Sequence, residues 1–283
     1  MPIKTIIAPE EVRQACSEWR INRSTVAFVP TMGALHDGHL QLVAEAKKLT
    51  DKVVVSIFVN PLQFGPQEDF ATYPRMLQAD REKLESVGAD ALFVPNAADM
   101  YPDNYQTYIY NNALADILCG QFRPGHFQGV LTIVAKLFHL VQPDVALFGK
   151  KDYQQFKLIA KMNADLMFGI DVRGIPTLRE SDGLAMSSRN LRLSAEERQI
   201  APSLYRAMQA VKAAYRNGEK GRTRLEQLFA AELPPDFRLE YAEVRDQDEL
   251  SKLDDQLQKP AVLLVAAHLG SVRLIDNLEL GET

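Results

Sequence analysis

The sequence predicts an α/β protein in which a doubly wound parallel sheet, residues 1–176, precedes a smaller C-terminal α+β domain, residues 177–283. Apolar, β-branched runs alternate with helical patterns through the first 176 residues, which is typical of βαβ units joined by right-handed crossovers. The run at 53–59 is apolar on both faces, as expected for a strand in a parallel sheet that helices cover on both sides. After residue 176 this alternation stops.

Each strand of the first domain is predicted from a short apolar run that ends at a turn signal. The first such strand, 26–29, stops at Pro30, and helical spacing follows over residues 40–49. The other predicted strands are 53–59, 90–94, 144–148 and 170–175, and the other predicted helices are 9–21, 75–87, 128–141 and 152–168. Because ligands of such sheets bind beyond the carboxyl ends of the strands, we expect the loops after the strands to converge on the functional site.

The second domain is predicted from helix caps and breakers. A turn is expected at 181–183, and Ser194 with Glu197 forms a capping box that opens a helix over 195–217. A second helix, 221–233, ends before Pro234. Strands are then predicted at 237–244, 261–267 and 272–275.

The composition is that of an ordinary globular chain and argues against several function classes. Of 283 residues, 46% are hydrophobic and 24% charged, and the net charge of −5 argues against a nucleic-acid surface. Cys16 and Cys119 lack metal-binding spacing and are expected to be buried thiols. No stretch approaches the roughly 20 apolar residues that span a membrane, and the N-terminus lacks the pattern of a signal peptide. We therefore expect a soluble cytoplasmic protein with no nucleic-acid or membrane partner.

Residues 25–40 combine a strand, a glycine loop and the start of a helix. Free backbone N–H groups and the positive end of the helix dipole suit a phosphate, and Gly33 and Gly38 let the backbone come close to a ligand. His36 and His39 are predicted to lie on one face of the first helical turn. There they can donate hydrogen bonds to phosphoryl oxygens and stabilise charge as a phosphate leaves.

The residues alone leave other interpretations of this stretch open. The glycines have the spacing of a P-loop, but His39 and Leu40 stand where its lysine and hydroxyl residue are required, so a P-loop is excluded. The two histidines can instead cap the helix or face solvent. A zinc site would need a third ligand, and His-x-x-His is not the spacing of the zincin helix.

The ten residues Pro30-Thr-Met-Gly-Ala-Leu-His-Asp-Gly-His39 resemble the signature of the pantothenate synthetase family. That family belongs to the group of nucleotidylyltransferases and class I aminoacyl-tRNA synthetases whose hallmark is His-x-Gly-His. The resemblance covers essentially the whole chain and is strongest over 26–190. It implies a Rossmann-like domain over 1–176 that binds ATP and pantoate, and a lid domain over 177–283. The implied reaction is ATP-dependent condensation of (R)-pantoate with β-alanine, which gives pantothenate, AMP and pyrophosphate through a pantoyl adenylate.

Three further motifs carry the resemblance. In Asn60-Pro-Leu-Gln-Phe-Gly65, spacing alone favours a solvent-facing turn, whereas the family places Gln63 on pantoate. The second motif is Gly149-Lys-Lys-Asp-Tyr-Gln-Gln155. Its residues alone indicate the charged, solvated first turn of a helix, and Lys150 stands where the family usually has glutamate. Asp182-Gly-Leu-Ala-Met-Ser-Ser-Arg-Asn190 resembles a loop that closes on ATP, in which two hydroxyls beside an arginine form a phosphate clamp.

Two other matches carry less chemistry. Residues 123–127, which contain Arg123 and His126, match a family segment near the pantoate pocket. His268 stands where a tryptophan is common in the family, and we interpret it as a structural substitution.

The resemblance assigns residues to three roles. The catalytic residues are predicted to be His36, His39 and Lys151. Predicted contacts to ATP, which is a substrate, are Met32, Gly33, His36, His39, Gly149, Lys151, Asp152, Leu178, Met186, Ser187, Ser188 and Arg189. Gln63 and Gln155 are predicted to bind pantoate and β-alanine. Mg²⁺ is expected to arrive with the phosphates, without a protein metal site, and a homodimer is the family's habit.

Two other functions fit part of this pattern. A nucleotidylyltransferase shares the two histidines. A basic pocket in place of Gln63 and Gln155 would favour that function, but the sequence has amides at these positions. A non-catalytic nucleotide-binding protein would be expected to lack a histidine or the clamp of Ser187, Ser188 and Arg189, and this chain keeps all of them.

Overall fold

A computed structural model describes residues 3–66, 68 and 70–281. Within these residues the strands are β1 (Lys4–Ile6), β2 (Val26–Thr31), β3 (Lys52–Ile57), β4 (Ala91–Phe93), β5 (Val145–Gly149), β6 (Asp171–Ile175), β7 (Phe237–Asp246), β8 (Ala261–Leu269) and β9 (Val272–Glu279). The helices are α1 (Pro9–Ile21), α2 (Asp37–Leu49), α3 (Leu77–Ser86), α4 (Ala97–Met100), α5 (Cys119–Phe122), α6 (His126–Val141), α7 (Tyr153–Asp165), α8 (Ala195–Ile200), α9 (Ser203–Arg216) and α10 (Arg222–Glu232).

The first six strands form one parallel sheet in the order β1-β4-β3-β2-β5-β6. From β2 the chain proceeds outward through β3 to β4, and it then returns to place β5 on the other side of β2. The order therefore reverses between β2 and β5. In an open α/β sheet, ligands bind in the crevice beyond the carboxyl ends of the strands at this switch point.

Helices cover both faces of this sheet, which confirms the predicted doubly wound α/β class. Ala27 and Val29 of β2 belong to a buried cluster with Leu42 and Val43 of α2. Phe28, which points to the opposite face, packs edge-on against Phe138 of α6, with ring centroids 6.5 Å apart. The β-branched runs that predicted the strands are buried on both sides for this reason.

Proline accounts for two differences from the predicted elements. The sequence predicts that β2 stops at Pro30, but the strand continues to Thr31. Pairing with β5 covers only Ala27 and Phe28, whereas pairing with β3 continues to the end of β2, so Pro30 lies where the strand is paired on one side and its missing N–H is tolerated. The single helix expected over 195–217 is wrong, because Pro202 separates α8 from α9.

Other differences concern short or extended elements. β1, α4 and α5 were not predicted, since three or four residues carry too little periodicity to be recognised. β9 runs to Glu279, beyond the predicted strand at 272–275. The capping box at Ser194 is confirmed, because its side chain accepts from the backbone N–H of Glu197.

The chain forms two compact units. The first runs to Lys150 and also contains Leu158–Pro176, and the second contains Lys151–Lys157 and the chain from Thr177 onward. The start of α7 thus groups with the C-terminal unit, although the sequence places it inside the first predicted domain. In the second unit β7, β8 and β9 form an antiparallel sheet, and a separate apolar cluster joins it to α9 and α10. Over residues 3–66, 68 and 70–281, no helix is both long and apolar enough to cross a membrane.

Candidate active site

The switch point of the first unit carries the glycine loop that follows β2. Gly33 has φ +83°, a left-handed conformation that glycine adopts without strain. A Cβ there would lie only 3.0 Å from the Ile57 side chain and 3.1 Å from an Asp80 carboxylate oxygen, so the site also needs a residue without a side chain. Gly149, the last residue of β5, lies at the same edge of the sheet.

A buried carboxylate holds this loop in place. Asp80, in α3, is 1% exposed, and its two oxygens accept hydrogen bonds from the backbone N–H groups of Ala34 (2.8 Å) and Leu35 (2.7 Å). The Nζ of Lys83 donates to the carbonyl of Leu35 at 2.6 Å. These contacts fix the backbone that leads into the two histidines.

His36 and His39 form a reciprocal cap at the start of α2. His36 is the N-cap, and its Nδ1 accepts from the N–H of Gly38 at 3.2 Å, while the Nδ1 of His39 accepts from the N–H of His36 at 3.3 Å. The ring centroids are 4.1 Å apart. Because each Nδ1 is an acceptor, the neutral rings carry their hydrogen on Nε2. The pair therefore presents two Nε2–H donors at the positive end of a helix.

The structure thus supports the predicted position of the histidines and also the alternative of a helix cap, since both histidines are caps. The two interpretations do not compete. The cap uses Nδ1 of each ring, and the predicted phosphate contact would use Nε2.

Gln63 is buried rather than solvent-facing, which contradicts the interpretation from spacing alone. It ends a short 3₁₀ turn, Pro61–Gln63, after β3 and is 8% exposed. The Nδ2 of Asn60 donates to its Oε1 at 3.1 Å, and its own Nε2 donates to the Met32 sulfur at 2.8 Å. Tyr101 in turn donates to the Oδ1 of Asn60 at 2.9 Å. The orientation of the Gln63 amide is therefore determined by its neighbours.

Two further contacts hold the Gln63 backbone. At Gly129 in α6, an added Cβ would come within 2.3 Å of the Leu62 carbonyl oxygen and 2.7 Å of the Gln63 nitrogen, so only glycine allows this approach. The carbonyl of Gln63 lies 2.7 Å from Nδ1 of His126 and accepts from Arg123 at 3.3 Å. Arg123 also forms a bidentate ion pair with Glu68. The 123–127 segment therefore contacts the main-chain carbonyl of Gln63, the predicted pantoate residue, and not its side-chain amide.

Of the segment after β5, Lys151–Lys157 belong to the second unit. Lys150–Asp152 form a 3₁₀ turn that leads into α7, and the Nζ of Lys151 lies 3.7 Å from a carboxylate oxygen of Asp152. Gln155 follows in the first turn of α7 and is half-buried.

The predicted ATP-closing segment is a small hairpin. Arg179 pairs with Ala185 in an isolated bridge, the N–H of Met186 donates to the Leu178 carbonyl at 3.0 Å, and the expected turn at 181–183 is present. Ser187 caps the 3₁₀ turn Ser188–Arg192, because its Oγ accepts from the N–H of Arg189 at 3.2 Å. Leu184 and Ala185 are buried. The segment is packed into the second unit and is not a free-standing loop.

The predicted site residues fall into two groups. The first unit holds Met32, Gly33, His36, His39, Gln63 and Gly149, and the second holds Lys151, Asp152, Gln155, Leu178, Met186, Ser187, Ser188 and Arg189. Among the described residues, no three His, Cys, Asp or Glu side chains are grouped so as to hold a metal ion.

Sequence reasoning missed residues that hold the site without belonging to its motifs. Asp80 and Gly129 orient the glycine loop and the Gln63 turn from helices α3 and α6, and Asn60, whose role was not predicted, orients the Gln63 amide from the start of the same turn. Asn60 opens the quoted motif and could have been suggested by it. Asp80 and Gly129 lie on helices and give no local signal.

Comparison with known proteins identifies a family for this chain. A family model described as pantoate-beta-alanine ligase matches residues 4–279. The pantothenate synthetase of Syntrophotalea carbinolica is 49% identical over 268 residues, covering 94% of each chain. That of Shewanella oneidensis is 49% identical over 271 residues, covering 95% of this chain and 96% of its own.

Solved structures are similar over the same extent. Pantothenate synthetase from Thermus thermophilus has a TM-score of 0.93 at 44% identity and covers 99% of this chain and 100% of its own. Pantoate-beta-alanine ligase from Francisella tularensis, in a complex with beta-gamma ATP and beta-alanine, has a TM-score of 0.81 at 34% identity and covers 98% of each chain.

Proposed function

Because this chain belongs to the pantoate–β-alanine ligase family, we propose that it condenses (R)-pantoate with β-alanine in a reaction driven by ATP. The products are pantothenate, AMP and pyrophosphate. The family assignment decides against the two other functions, a nucleotidylyltransferase that stops at AMP or CMP transfer and a binding protein without activity. The structural observation that supports this chemistry best is the reciprocal cap at the start of α2, in which Nδ1 of His36 and Nδ1 of His39 each accept from a backbone N–H.

In the first half-reaction the pantoate carboxylate attacks the α-phosphorus of ATP. The bond to pyrophosphate breaks, and pantoyl adenylate forms. Negative charge builds on the α-phosphate and on the leaving group, so positioned donors lower the barrier most. We assign this role to His36, His39 and Lys151.

The other residues proposed to contact ATP bind the nucleotide and take no part in the chemical step. Ser187 and Ser188 offer hydroxyls and Arg189 a bidentate guanidinium to the phosphates. Met32, Gly33, Gly149, Asp152, Leu178 and Met186 complete the proposed ATP contacts. Residues 177–283 carry the proposed lid, whose purpose would be to exclude water from the reactive intermediate.

Gln63 and Gln155 are proposed to hold pantoate so that its carboxylate points in line with the α-phosphorus. The Gln63 amide is already oriented by Asn60 and Met32 and needs no reorganisation on binding. In the second half-reaction the amine of β-alanine attacks the acyl carbon, loses a proton and releases AMP.

No side-chain nucleophile is required, because AMP carries the activated acyl group. The protonation state of Cys16 is consistent with a reaction that uses no thiol nucleophile. Burial raises the pKa of Cys16 to about 11, so that thiol is protonated at neutral pH. Cys16 and Cys119, both within the described residues, form no disulfide.

We also propose that Mg²⁺ arrives with the ATP phosphates. Magnesium usually keeps several waters and is held by one or two carboxylates together with substrate phosphates. Asp152, half-exposed beside Lys151, offers one such carboxylate. When bound, the ion would neutralise charge on the leaving pyrophosphate.

A homodimer in the cytoplasm completes the proposal, as the family resemblance implies. Sedimentation equilibrium should then give a mass near twice 31.7 kDa. A monomer at micromolar concentration would overturn this part alone.

The decisive experiment measures AMP release from ATP and Mg²⁺, with and without pantoate and β-alanine, for the wild type and His39→Ala. We expect AMP only when both substrates are present, and a collapse of the rate in the variant. Binding of ATP with no AMP under any combination would overturn the ligase and leave a transferase or a sensor.

A further inference from the structure

Two adjacent buried polar residues of β9 contact the two segments of the second unit that carry proposed ATP contacts, 151–155 and 179–189. Asp276 and Asn277 are 4% and 7% exposed. Neighbouring residues of a strand point to opposite faces of the sheet. Asp276 shares the face of Leu274 and Leu278, which pack in the cluster with α9 and α10, and Asn277 lies on the other face.

Asp276 holds the hairpin that carries the proposed phosphate clamp. Its carboxylate accepts two hydrogen bonds from Arg179, at 2.6 and 2.9 Å, and the same guanidinium donates to the Gly183 carbonyl at 3.1 Å. The guanidinium also stacks on Tyr205, 3.7 Å from the ring centroid. Arg179 opens the hairpin that ends at Met186, so its position sets the start of the clamp.

Asn277 holds the segment that carries the proposed lysine. Its Nδ2 donates to the main-chain carbonyl of Lys151 at 2.9 Å. Two contacts beside it fix the same segment: the Tyr153 hydroxyl donates to the Gln247 carbonyl at 2.9 Å, and Lys157 pairs with Asp248 at 3.1 Å. A shift of Lys151 relative to β9 would therefore break the Asn277 bond, and a shift of the segment relative to the residues that follow β7 would break the other two.

We propose that Asp276 and Asn277 are positioning residues for adenylate formation. They fix the 151–155 segment relative to the 179–189 segment, which consists of the hairpin and the clamp residues Ser187–Arg189 that follow it. Neither side chain touches the reacting atoms in this assignment. The inference rests on the proposed function, since it takes both segments to bind ATP. One dipeptide of β9 sets the spacing between two groups of phosphate donors that are remote in sequence.

The two residues should differ in what they affect. Asp276 acts through the hairpin, which carries only ATP contacts. Asn277 acts through a segment that carries Gln155 as well as Lys151. Asp276→Asn should therefore raise the KM for ATP or lower kcat by about tenfold to a hundredfold and leave the KM for pantoate unchanged. Asn277→Leu should alter the kinetics with respect to both substrates.

The test compares these variants with Asp276→Glu, which keeps the carboxylate, and with Glu240→Gln. Glu240 is a matched control because it lies on the same small sheet, is similarly enclosed, and pairs with Arg273 and His268 instead of with either nucleotide segment. Single-turnover pyrophosphate release on mixing enzyme, ATP and pantoate would isolate the first half-reaction. Thermal unfolding would show which variants are folded.

Support requires that Asp276→Asn and Asn277→Leu slow pyrophosphate release while Glu240→Gln, at comparable stability, does not. Partial recovery in Asp276→Glu would place the effect on the ion pair with Arg179. Equal kinetics in all folded variants would overturn the inference. If the wild type itself releases no pyrophosphate with pantoate, the proposed function fails instead, so the two failures are distinguishable.

Discussion

The backbone N–H of His36 donates to Nδ1 of His39, and the two rings stand 4.1 Å apart at the first turn of α2. In each ring Nδ1 is engaged by the helix, and Nε2 is the nitrogen that a ligand would contact. A substitution that removes a histidine therefore removes a helix cap and the proposed ligand contact at once. Replacements that keep one function and delete the other separate them.

His36→Asn should abolish most activity and leave the fold intact. Asparagine is among the best N-cap residues, so the free energy of unfolding should change by less than about 0.5 kcal/mol, whereas His36→Ala should lose roughly 1 kcal/mol. Both variants lack the Nε2 donor and should lose about 10²–10³ in kcat. Chemical unfolding and pantothenate formation measure the two effects. Full activity in His36→Asn would show that His36 is only a cap.

Asp80→Asn should disturb the glycine loop. The amide offers one acceptor where the carboxylate offers two, so an N–H of Ala34 or Leu35 is left without its partner. We expect a loss of about 1–3 kcal/mol of unfolding free energy and a higher KM for ATP. Steady-state kinetics and calorimetry would measure both.

Asp144→Asn is the control for this prediction. Its carboxylate also accepts from a backbone N–H, that of Val26 at 2.7 Å, but it lies at the amino end of β2. It should lower stability and leave the KM for ATP unchanged. An equal rise in KM in both variants would mean that general destabilisation, not the loop, causes the effect.

Gly129→Ala should weaken pantoate binding. The new Cβ would overlap the Leu62 carbonyl, so the Pro61–Gln63 turn must move and carry the Gln63 amide with it. A displacement of this size should raise the KM for pantoate by about tenfold to a hundredfold, with a smaller effect on the KM for ATP.

Gly88→Ala provides a control in which the strain lies away from the site. Gly88 has φ +76° and no neighbour within 4 Å of an added Cβ, so alanine there should cost about 1 kcal/mol of stability without touching the site. If Gly129→Ala does not fold, Gln63→Ala tests the same assignment. An unchanged KM for pantoate in folded Gly129→Ala and in Gln63→Ala would contradict it.

The sequence predicts the parts of this molecule that depend on neighbours in the chain. Runs such as 53–59 identified the strands because burial on both faces requires continuous apolar residues. Two prolines show the limit of local reasoning: Pro30 stays inside a strand because pairing with β5 has already ended, while Pro202 ends a helix. The difference depends on which elements lie alongside, and no local pattern contains that information.

The same limit applies to the candidate site. Motifs identified the histidines and Gln63 by residue type. The partners that orient them are remote: Asp80 lies 46 residues from Ala34, and Asp276 lies 97 residues from Arg179. Such contacts exist only after the chain has folded, and the isolated carboxylates resemble ordinary surface residues in the sequence.

The ion pair of Glu68 with Arg123 predicts how the Gln63 turn responds to acid. Burial raises the pKa of the Glu68 carboxyl, but the hydrogen bond and charge of Arg123 outweigh it, so the pKa lies below its ordinary value of 4.5. A lowered folded-state pKa means that the stabilisation is complete above pH 4.5 and is lost as the pH falls through the folded pKa.

Glu68→Gln should therefore reduce the free energy of unfolding by about 1–3 kcal/mol at pH 7, and this difference should shrink below pH 4.5. Because Arg123 also donates to the Gln63 carbonyl, the KM for pantoate should rise in the variant. Glu45→Gln, which breaks the more exposed pair with Lys48, should change stability by less than about 1 kcal/mol and leave KM alone. Urea unfolding from about pH 3 to 7 would measure both variants, and a Glu68→Gln difference that stays constant across that range would rule out the ion pair as its cause.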